Sequence, residues 1–267
     1  MTRLRLWQID AFTDRVFAGN PAAICPLDAW LPDAQMQAIA AENNLSETAF
    51  LVAEGDGFRL RWFTPSVEVD LCGHATLASA WVLFHRLGHA ADRVAFQTQS
   101  GPLTVVRRGD LLELDFPARP PQPCPVPPAL SAALGARPVE LHAARDYLCV
   151  LPDEAAVRSL APDMAAVAKL DRFAVIATAP SAPGRGVDFV SRFFAPAKGV
   201  PEDPVTGSAH CTLVPYWAGR LGKTSLAAEQ VSRRGGRLEC RLEGNRVFLA
   251  GRCAPYMTGE IEVPAWS

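Results

Sequence analysis

Two glycines stand at the starts of apolar segments, and each is followed by a polar residue. Gly73 precedes His74, and Gly207 precedes Ser208. The first N–H groups of a helix lack intrahelical partners and carry partial positive charge, and glycine lets a ligand approach this backbone closely. Two such helix starts facing one ligand would bind an anion, most simply a carboxylate. Taken singly, each glycine also fits ordinary helix capping.

Two carboxylates are candidates for proton transfer. Glu47, in ENNLSETAFL, stands at the start of an apolar strand, where a carboxylate is costly unless it is paired or its pKa is raised. Such an environment suits a general acid or base. Asp203 lies in the loop that leads to Gly207. Each also fits a structural position, an exposed strand entrance for Glu47 and a turn before Pro204 for Asp203.

Cysteine and histidine usage argues against a metal centre or a disulfide framework. The chain has seven cysteines, an odd number, with no CxxC pair, and its five histidines are not grouped with acidic residues. We therefore expect no bound metal and mostly buried, structural cysteines.

The composition describes an ordinary folded protein. Of 267 residues, 49% are apolar and 20% are charged, which excludes a disordered chain or a coiled coil. A net charge of −2 gives no bulk attraction to nucleic acid or to a membrane surface. The first residues lack the apolar core of a signal peptide, and no uncharged stretch is suited to crossing a bilayer. We expect a cytoplasmic protein.

The elements that must position these residues are mostly strands. Asp33 is the predicted N-cap of a helix that runs to about Asn43, and buried helices are predicted over about His74–Leu87 and Ser208–Ala218. Because strands outnumber helices and do not alternate with them, a Rossmann fold or a TIM barrel is excluded. The predicted strands are Leu4–Phe12, Ala22–Leu27, Thr48–Ala53, Phe58–Thr64, Arg93–Gln99, Leu111–Phe116, Leu148–Leu151, Phe173–Ala177, Val187–Phe194, Ser225–Ser232, Leu238–Leu242 and Val247–Ala250.

A proline-rich segment divides the chain. Seven of the 12 residues from Pro117 to Pro128 are proline, which excludes a central strand or a helix there and predicts an extended connector. We therefore predict an N-terminal domain over residues 1–116, a linker over 117–128 and a C-terminal domain over 129–267.

The two halves also resemble each other. Arg61–Trp81 and Arg192–Trp217 share an Arg-aromatic-Phe-x-Pro motif, a loop, a glycine and an apolar helix. The shared order favours an internal duplication over chance similarity. If the two copies face each other, both glycine-started helices point into one cleft.

Four motifs resemble the phenazine-biosynthesis PhzF-like isomerase family: FAGNPAAIC, ENNLSETAF, DLCGHATLASAW and EDPVTGSAH. Their order and spacing match along nearly the whole chain. The resemblance implies an α/β (α+β) fold similar to diaminopimelate epimerase. It has two similar domains, each a curled mixed β-sheet around a central helix, with the active site in the cleft between them.

The resemblance also implies a cofactor-independent isomerase of a small carboxylic acid. Glu47 would be the catalytic acid/base, and His74, Asp203 and Ser208 would be the other catalytic residues. For substrate binding we expect Ser46, Gly73 and Gly207. The family uses no metal, and homodimers are usual in it, so a homodimer is expected.

One departure leaves alternatives open. Two-cysteine racemases place a cysteine before each helix-starting glycine, whereas this chain has Cys72 before Gly73 but Thr206 before Gly207. A two-thiol mechanism is therefore disfavoured, although the helix start could lower the pKa of the Cys72 thiol. A racemase or epimerase that uses the single thiol of Cys72 remains one alternative, and a non-catalytic protein that binds a small acid remains another.

Overall fold

The computed structural model describes residues 1–264 of the chain. It divides into two compact units, and each is described separately. The first comprises Met1–Asp115 together with the C-terminal segment that begins at Ala250, and the second comprises Phe116–Leu249. No helix within residues 1–264 is both long enough and apolar enough to cross a membrane.

The elements alternate irregularly along the chain. Up to residue 117 they are β1 Thr2–Ala11, β2 Asn20–Leu27, α1 Asp33–Asn43, β3 Glu47–Glu54, β4 Gly57–Phe63, β5 Glu68–Val69, α2 Gly73–Arg86, β6 Arg93–Thr98, β7 Gly101–Arg108 and β8 Leu111–Pro117. Beyond it they are β9 Gln122–Pro123, α3 Pro128–Leu134, β10 Glu140–Ala143, β11 Tyr147–Val150, α4 Glu154–Arg158, α5 Met164–Val167, β12 Val175–Pro180, β13 Phe189–Ala195, β14 Val200–Asp203, α6 Gly207–Leu221, β15 Ser225–Gln230, β16 Gly236–Glu243, β17 Arg246–Gly251 and β18 Cys253–Val263.

Each unit contains a mixed sheet with the same pairing pattern. In the first, β1 pairs antiparallel with β2, β2 parallel with β3, β3 antiparallel with β4, β4 parallel with β6, and β6 antiparallel with β7. In the second, β10, β11, β12, β13, β15 and β16 pair in the same order with the same directions. The short strands β5 and β14 add antiparallel to β4 and β13. This repeated pattern supports the duplication inferred from the sequence.

One buried helix belongs to each repeat. In the first unit α2 packs against β1, β2, β3, β7 and β18, and in the second α6 packs against β15 and β16. Both helices are apolar on nearly all sides, as the sequence predicts, because strands or loops cover most of their surface. The mixed α+β class with two similar units is therefore confirmed.

The repeat extends to an ion pair. Arg61 on β4 donates from Nε and Nη2 to Glu68 on β5, at 2.7 Å each. Arg192 on β13 pairs in the same two-pronged way with Glu202 on β14, at 2.7 and 3.0 Å. Each pair ties a short strand to the sheet just before the loop that leads to the buried helix.

Several details differ from the sequence predictions. Asp33 is the first residue of α1 and pairs with Arg61, while Pro32 takes the cap position. The sequence does not predict β7, which begins with Gly-Pro, or β18, which contains Pro255 and Gly259. It also does not predict the short elements β5, β10, β14, α3, α4 and α5. The proline-rich segment includes the two-residue strand β9, which pairs with β10. The C-terminal segment belongs with the first unit, since β18 pairs along the length of β1.

Replacing Arg192 should destabilise the second unit. Arg192→Met removes the paired hydrogen bonds to Glu202 and a 2.7 Å bond to the Leu160 carbonyl, and both charged side chains are largely buried. We expect the free energy of unfolding to fall by about 2–3 kcal/mol, measured by urea denaturation. Arg237→Met, at an exposed arginine, is the control, with an expected change below about 0.5 kcal/mol. Equal losses in both variants would contradict the role of the Arg192–Glu202 pair.

Candidate active site

Strand pairing brings the first two site residues to one edge of the first unit's sheet. The parallel register of β2 and β3 sets Glu47, the first residue of β3, beside Ala22. Asn20 begins β2 two residues earlier, so its side chain starts from the same edge. Parallel strands bring their starts together, which explains why residues 27 positions apart in the chain become neighbours.

The start of α2 adds an imidazole to this edge. His74 Nε2 lies 3.0 Å from Glu47 Oε2, and both side chains are largely buried. Oε2 is buried and has no hydrogen bond of regular geometry within residues 1–264, so the contact is electrostatic. The other carboxylate oxygen, Oε1, is not fully buried, and it makes no hydrogen bond within residues 1–264. It is therefore the oxygen that faces outward.

Asn20 orients the imidazole. Its side-chain amide lies 3.1 Å from His74 Nδ1 and holds the ring so that Nε2 is the nitrogen next to Glu47. Burial lowers the pKa of His74, but the Cys72 sulfur and the Glu47 carboxylate raise it, and the net pKa lies above the ordinary value. Asn20 lies in the FAGNPAAIC motif, but no pattern in the sequence marks it as a site residue.

Cys72 lies against the same ring. Its sulfur is 3.5 Å from His74 Nδ1, at the cap position of α2. Burial, followed by the nearby Glu47 charge, raises the pKa of the Cys72 thiol to about 11. The expectation that the helix start could lower this pKa is wrong, because loss of solvation is the largest effect on the thiol and raises it. Cys72 is a protonated thiol at neutral pH.

A second polar group forms at the start of α6. Thr206 Oγ1 donates to Asp203 Oδ2 at 2.5 Å. Gln230, fully buried on β15, accepts from the Thr206 N–H at 2.9 Å and donates to the Asp203 carbonyl at 2.7 Å. The loop from Asp203 to Thr206 is therefore fixed by one amide side chain that the sequence analysis missed.

Ser208 and Arg145 lie beside that loop. Arg145 Nη2 donates to Ser208 Oγ at 3.1 Å, and Arg145 also pairs with the fully buried Asp146. No motif marked Arg145, which comes from the turn between β10 and β11.

The starts of α2 and α6 are built alike. Neither cap residue, Cys72 or Thr206, makes a side-chain hydrogen bond to the first turn. At matching positions Thr76 bonds the Cys72 carbonyl at 2.5 Å and His210 bonds the Thr206 carbonyl at 2.8 Å. Burial lowers the pKa of His210 to about 4, so this ring is neutral. The first N–H groups of both helices are thus left without a capping side chain, as an anion site requires.

The predicted residues therefore fall into two groups. In the first unit Glu47, His74 and Gly73 come together, with half-buried Ser46 directly before Glu47. In the second unit Asp203, Gly207 and Ser208 lie at the start of α6. The sequence predicts no metal site, but ligand atoms of Glu47, Cys72 and His74 lie within 4.8 Å of one another and have the donor types that bind zinc.

Comparison with known proteins decides the family. The family model for phenazine biosynthesis-like proteins, PhzC-PhzF, matches residues 9–259. The chain belongs to this PhzC-PhzF family. It is 56% identical over 260 residues to an uncharacterised isomerase of Pseudomonas aeruginosa, covering 97% of this chain and 99% of that protein.

Solved structures of PhzF-family proteins share the fold. A PhzF-family phenazine biosynthesis protein from Enterococcus faecalis superposes with a TM-score of 0.95 at 48% identity, covering 98% of this chain and all of that one. A hydroxyproline epimerase from Agrobacterium vitis superposes with a TM-score of 0.60 at 10% identity, over 97% of this chain and 92% of that one. The second likeness shows the fold alone and confirms the predicted epimerase-like architecture.

Replacing Gln230 tests whether its side chain holds the loop from Asp203 to Thr206 in place. Gln230→Met keeps the side-chain volume but leaves the Thr206 N–H and the Asp203 carbonyl without this partner. We expect a loss of about 2–4 kcal/mol in the free energy of unfolding, measured by urea denaturation. Gln99→Met is the control, because Gln99 makes an exposed contact with Glu68. Indistinguishable unfolding curves for the two variants would show that Gln230 does not fix the loop.

Proposed function

We propose that this chain is an isomerase that moves a proton between carbons of a small carboxylic acid, with Glu47 as the acid/base and without a cofactor. The observation that carries the proposal is the 3.0 Å contact between the carboxylate of Glu47 and the imidazole of His74. The name of the Pseudomonas aeruginosa relative supports the reaction class.

The two oxygens of Glu47 have different roles in this proposal. Oε2 faces His74, which holds the carboxylate in place, and Oε1 faces outward to the substrate. Oε1 takes a proton from an acidic carbon as the C–H bond breaks, and the electron pair stays in the conjugated system of the substrate. The same oxygen then returns the proton to another carbon, which restores the carboxylate. No oxidant or reductant is needed.

The remaining residues stabilise and orient the substrate. Removing a proton leaves negative charge on the substrate, and the uncapped N–H groups at the starts of α2 and α6 are suited to stabilising it. Near neutral pH His74 can donate from Nε2, and the proposed task of Asp203 and Ser208 is to hold polar atoms of the substrate. Each role is carried over from the family resemblance and supported by the local geometry.

Proton exchange with solvent tests the reaction directly. The protein is incubated in deuterated water with L-proline, trans-4-hydroxy-L-proline, itaconate and sorbate, which cover amino acids and unsaturated acids. NMR should show loss of a carbon-bound proton signal or the appearance of an isomer for at least one acid. Binding of an acid without exchange at any carbon would favour a non-catalytic binding protein.

Glu47→Gln should fold normally and lose turnover by about 10²–10⁴-fold, because it keeps the shape of the side chain but removes the titrating group. Glu54→Gln is the matched control, since Glu54 ends the same strand at an exposed position. Exchange rates measured for both variants on the same acid check this prediction. A wild-type rate in Glu47→Gln would remove Glu47 from the mechanism.

Cys72→Ala should retain most of the wild-type rate. Its protonated, buried thiol is a poor base, and the matching position in the second repeat is Thr206, whose hydroxyl is engaged with Asp203. We also expect slow alkylation of Cys72 by iodoacetamide, followed by mass spectrometry of the labelled peptide. A collapse of the Cys72→Ala rate to that of Glu47→Gln, with an unchanged circular dichroism spectrum, would favour a single-thiol racemase.

A further inference from the structure

The side chain of Arg145 is held in one orientation by three neighbours in the second unit. Nε and Nη2 donate to the two oxygens of Asp146 at 3.1 and 3.2 Å, and Nη2 also donates to Ser208 Oγ at 3.1 Å. The guanidinium stacks on Phe173, with Cζ 4.2 Å from the ring centroid. A guanidinium fixed in this way is pre-organised, so a ligand that binds it does not have to restrict its motion.

One edge of this guanidinium remains open. Nη1 makes no hydrogen bond within residues 1–264, and this nitrogen is not fully buried. Nη1 therefore reaches solvent, and both of its N–H groups are available. Pairing with Asp146 uses Nε and one N–H of Nη2, and Ser208 takes the other N–H of Nη2, so the two N–H groups of Nη1 are the ones left open.

Ser208 has a free donor beside this edge. Its oxygen accepts from Arg145, and no other hydrogen bond of Ser208 exists in the described part of the chain. Because a hydroxyl that accepts one bond can still donate its own hydrogen, Ser208 O–H is available to an incoming oxygen atom. Two kinds of unused donor, N–H and O–H, thus adjoin each other.

Cationic and N–H groups lie around this edge. Asp146 offsets the charge of Arg145, and Asp203 at the start of α6 is engaged by the Thr206 hydroxyl. The ammonium of Lys198 lies 5.2 Å from the same Phe173 ring. The side chain of Thr206 does not cap the first turn of α6, where Ser208 lies, so the helix N–H groups there also favour an anion.

We infer that Arg145 binds the carboxylate of the substrate through Nη1, with Ser208 O–H as a second donor, and so selects carboxylic acids over their neutral analogues. The inference rests on the proposed function, because it assigns the substrate class of that reaction. Binding can nevertheless be measured without turnover, which separates the two.

The experiment compares acids with their amides. Dissociation constants of sorbate, sorbamide, trans-4-hydroxy-L-proline and its amide are measured by saturation-transfer NMR. We expect the wild type to bind at least one acid about 10–100-fold more tightly than its amide. Arg145→Gln should abolish this preference while leaving the binding of the amide unchanged, and Arg145→Lys should recover part of it through charge alone.

Two further variants keep the result interpretable. Arg145→Gln leaves the buried carboxylate of Asp146 without its cation, so the double variant Arg145→Gln/Asp146→Asn is measured as well. Arg172→Gln is the matched control, since Arg172 is exposed, carries the same charge and contacts the neighbouring Ala144 carbonyl. The control should keep the wild-type preference for the acid.

The outcomes separate this inference from the proposed function. The assignment of carboxylate binding to Arg145 is overturned if the wild type binds neither acid more tightly than its amide. It is also overturned if the Arg145→Gln variants keep the preference for the acid. Arg145-dependent binding of inorganic phosphate, equal to that of the acids, would also overturn it by showing a general anion site. An Arg145-dependent preference without any proton exchange would leave it standing while the proposed reaction fails.

Discussion

The contact between Glu47 and His74 is the constraint around which the first unit is organised. A carboxylate and an imidazole removed from water are costly unless each compensates the other, and the cost is several kcal/mol when one partner is missing. The parallel pairing of β2 with β3 brings Asn20 and Glu47 to one edge, and the buried helix α2 brings His74 to meet them. Asn20 then fixes the ring so that its Nε2 faces the carboxylate.

The second unit uses the same strand pairing to fix a different polar group. In the first unit β4 and β5 lead to α2, and in the second unit β13 and β14 lead to α6. In each unit a two-pronged Arg–Glu pair joins the two strands. The loop before α6 has an additional clamp in Gln230. The common scaffold therefore sets where each helix begins, and the polar side chains around each start differ, with His74 in the first unit and Ser208 in the second.

Local patterns explain why much of this could be predicted. The buried helices follow from apolar residues on all sides, whereas the roles expected for Glu47, His74, Asp203 and Ser208 rest on the family resemblance of the motifs that contain them. Asn20, Gln230 and Arg145 could not be found in this way, because each reaches its partner only through sheet pairing or a distant turn. Likewise β18 owes its strand geometry to β1, since its own sequence contains proline and glycine.

The two cap positions show how the repeats have diverged chemically. In a symmetrical two-thiol enzyme both caps would be ionisable, and each would exchange a proton with one face of the substrate. Here Cys72 is kept protonated by burial, and the hydroxyl of Thr206 is committed to Asp203. Neither cap is free to act as a base, which supports the proposal that a carboxylate transfers the proton. A single carboxylate can remove and return a proton only on one face of a substrate, which favours migration of a double bond over inversion of a stereocentre.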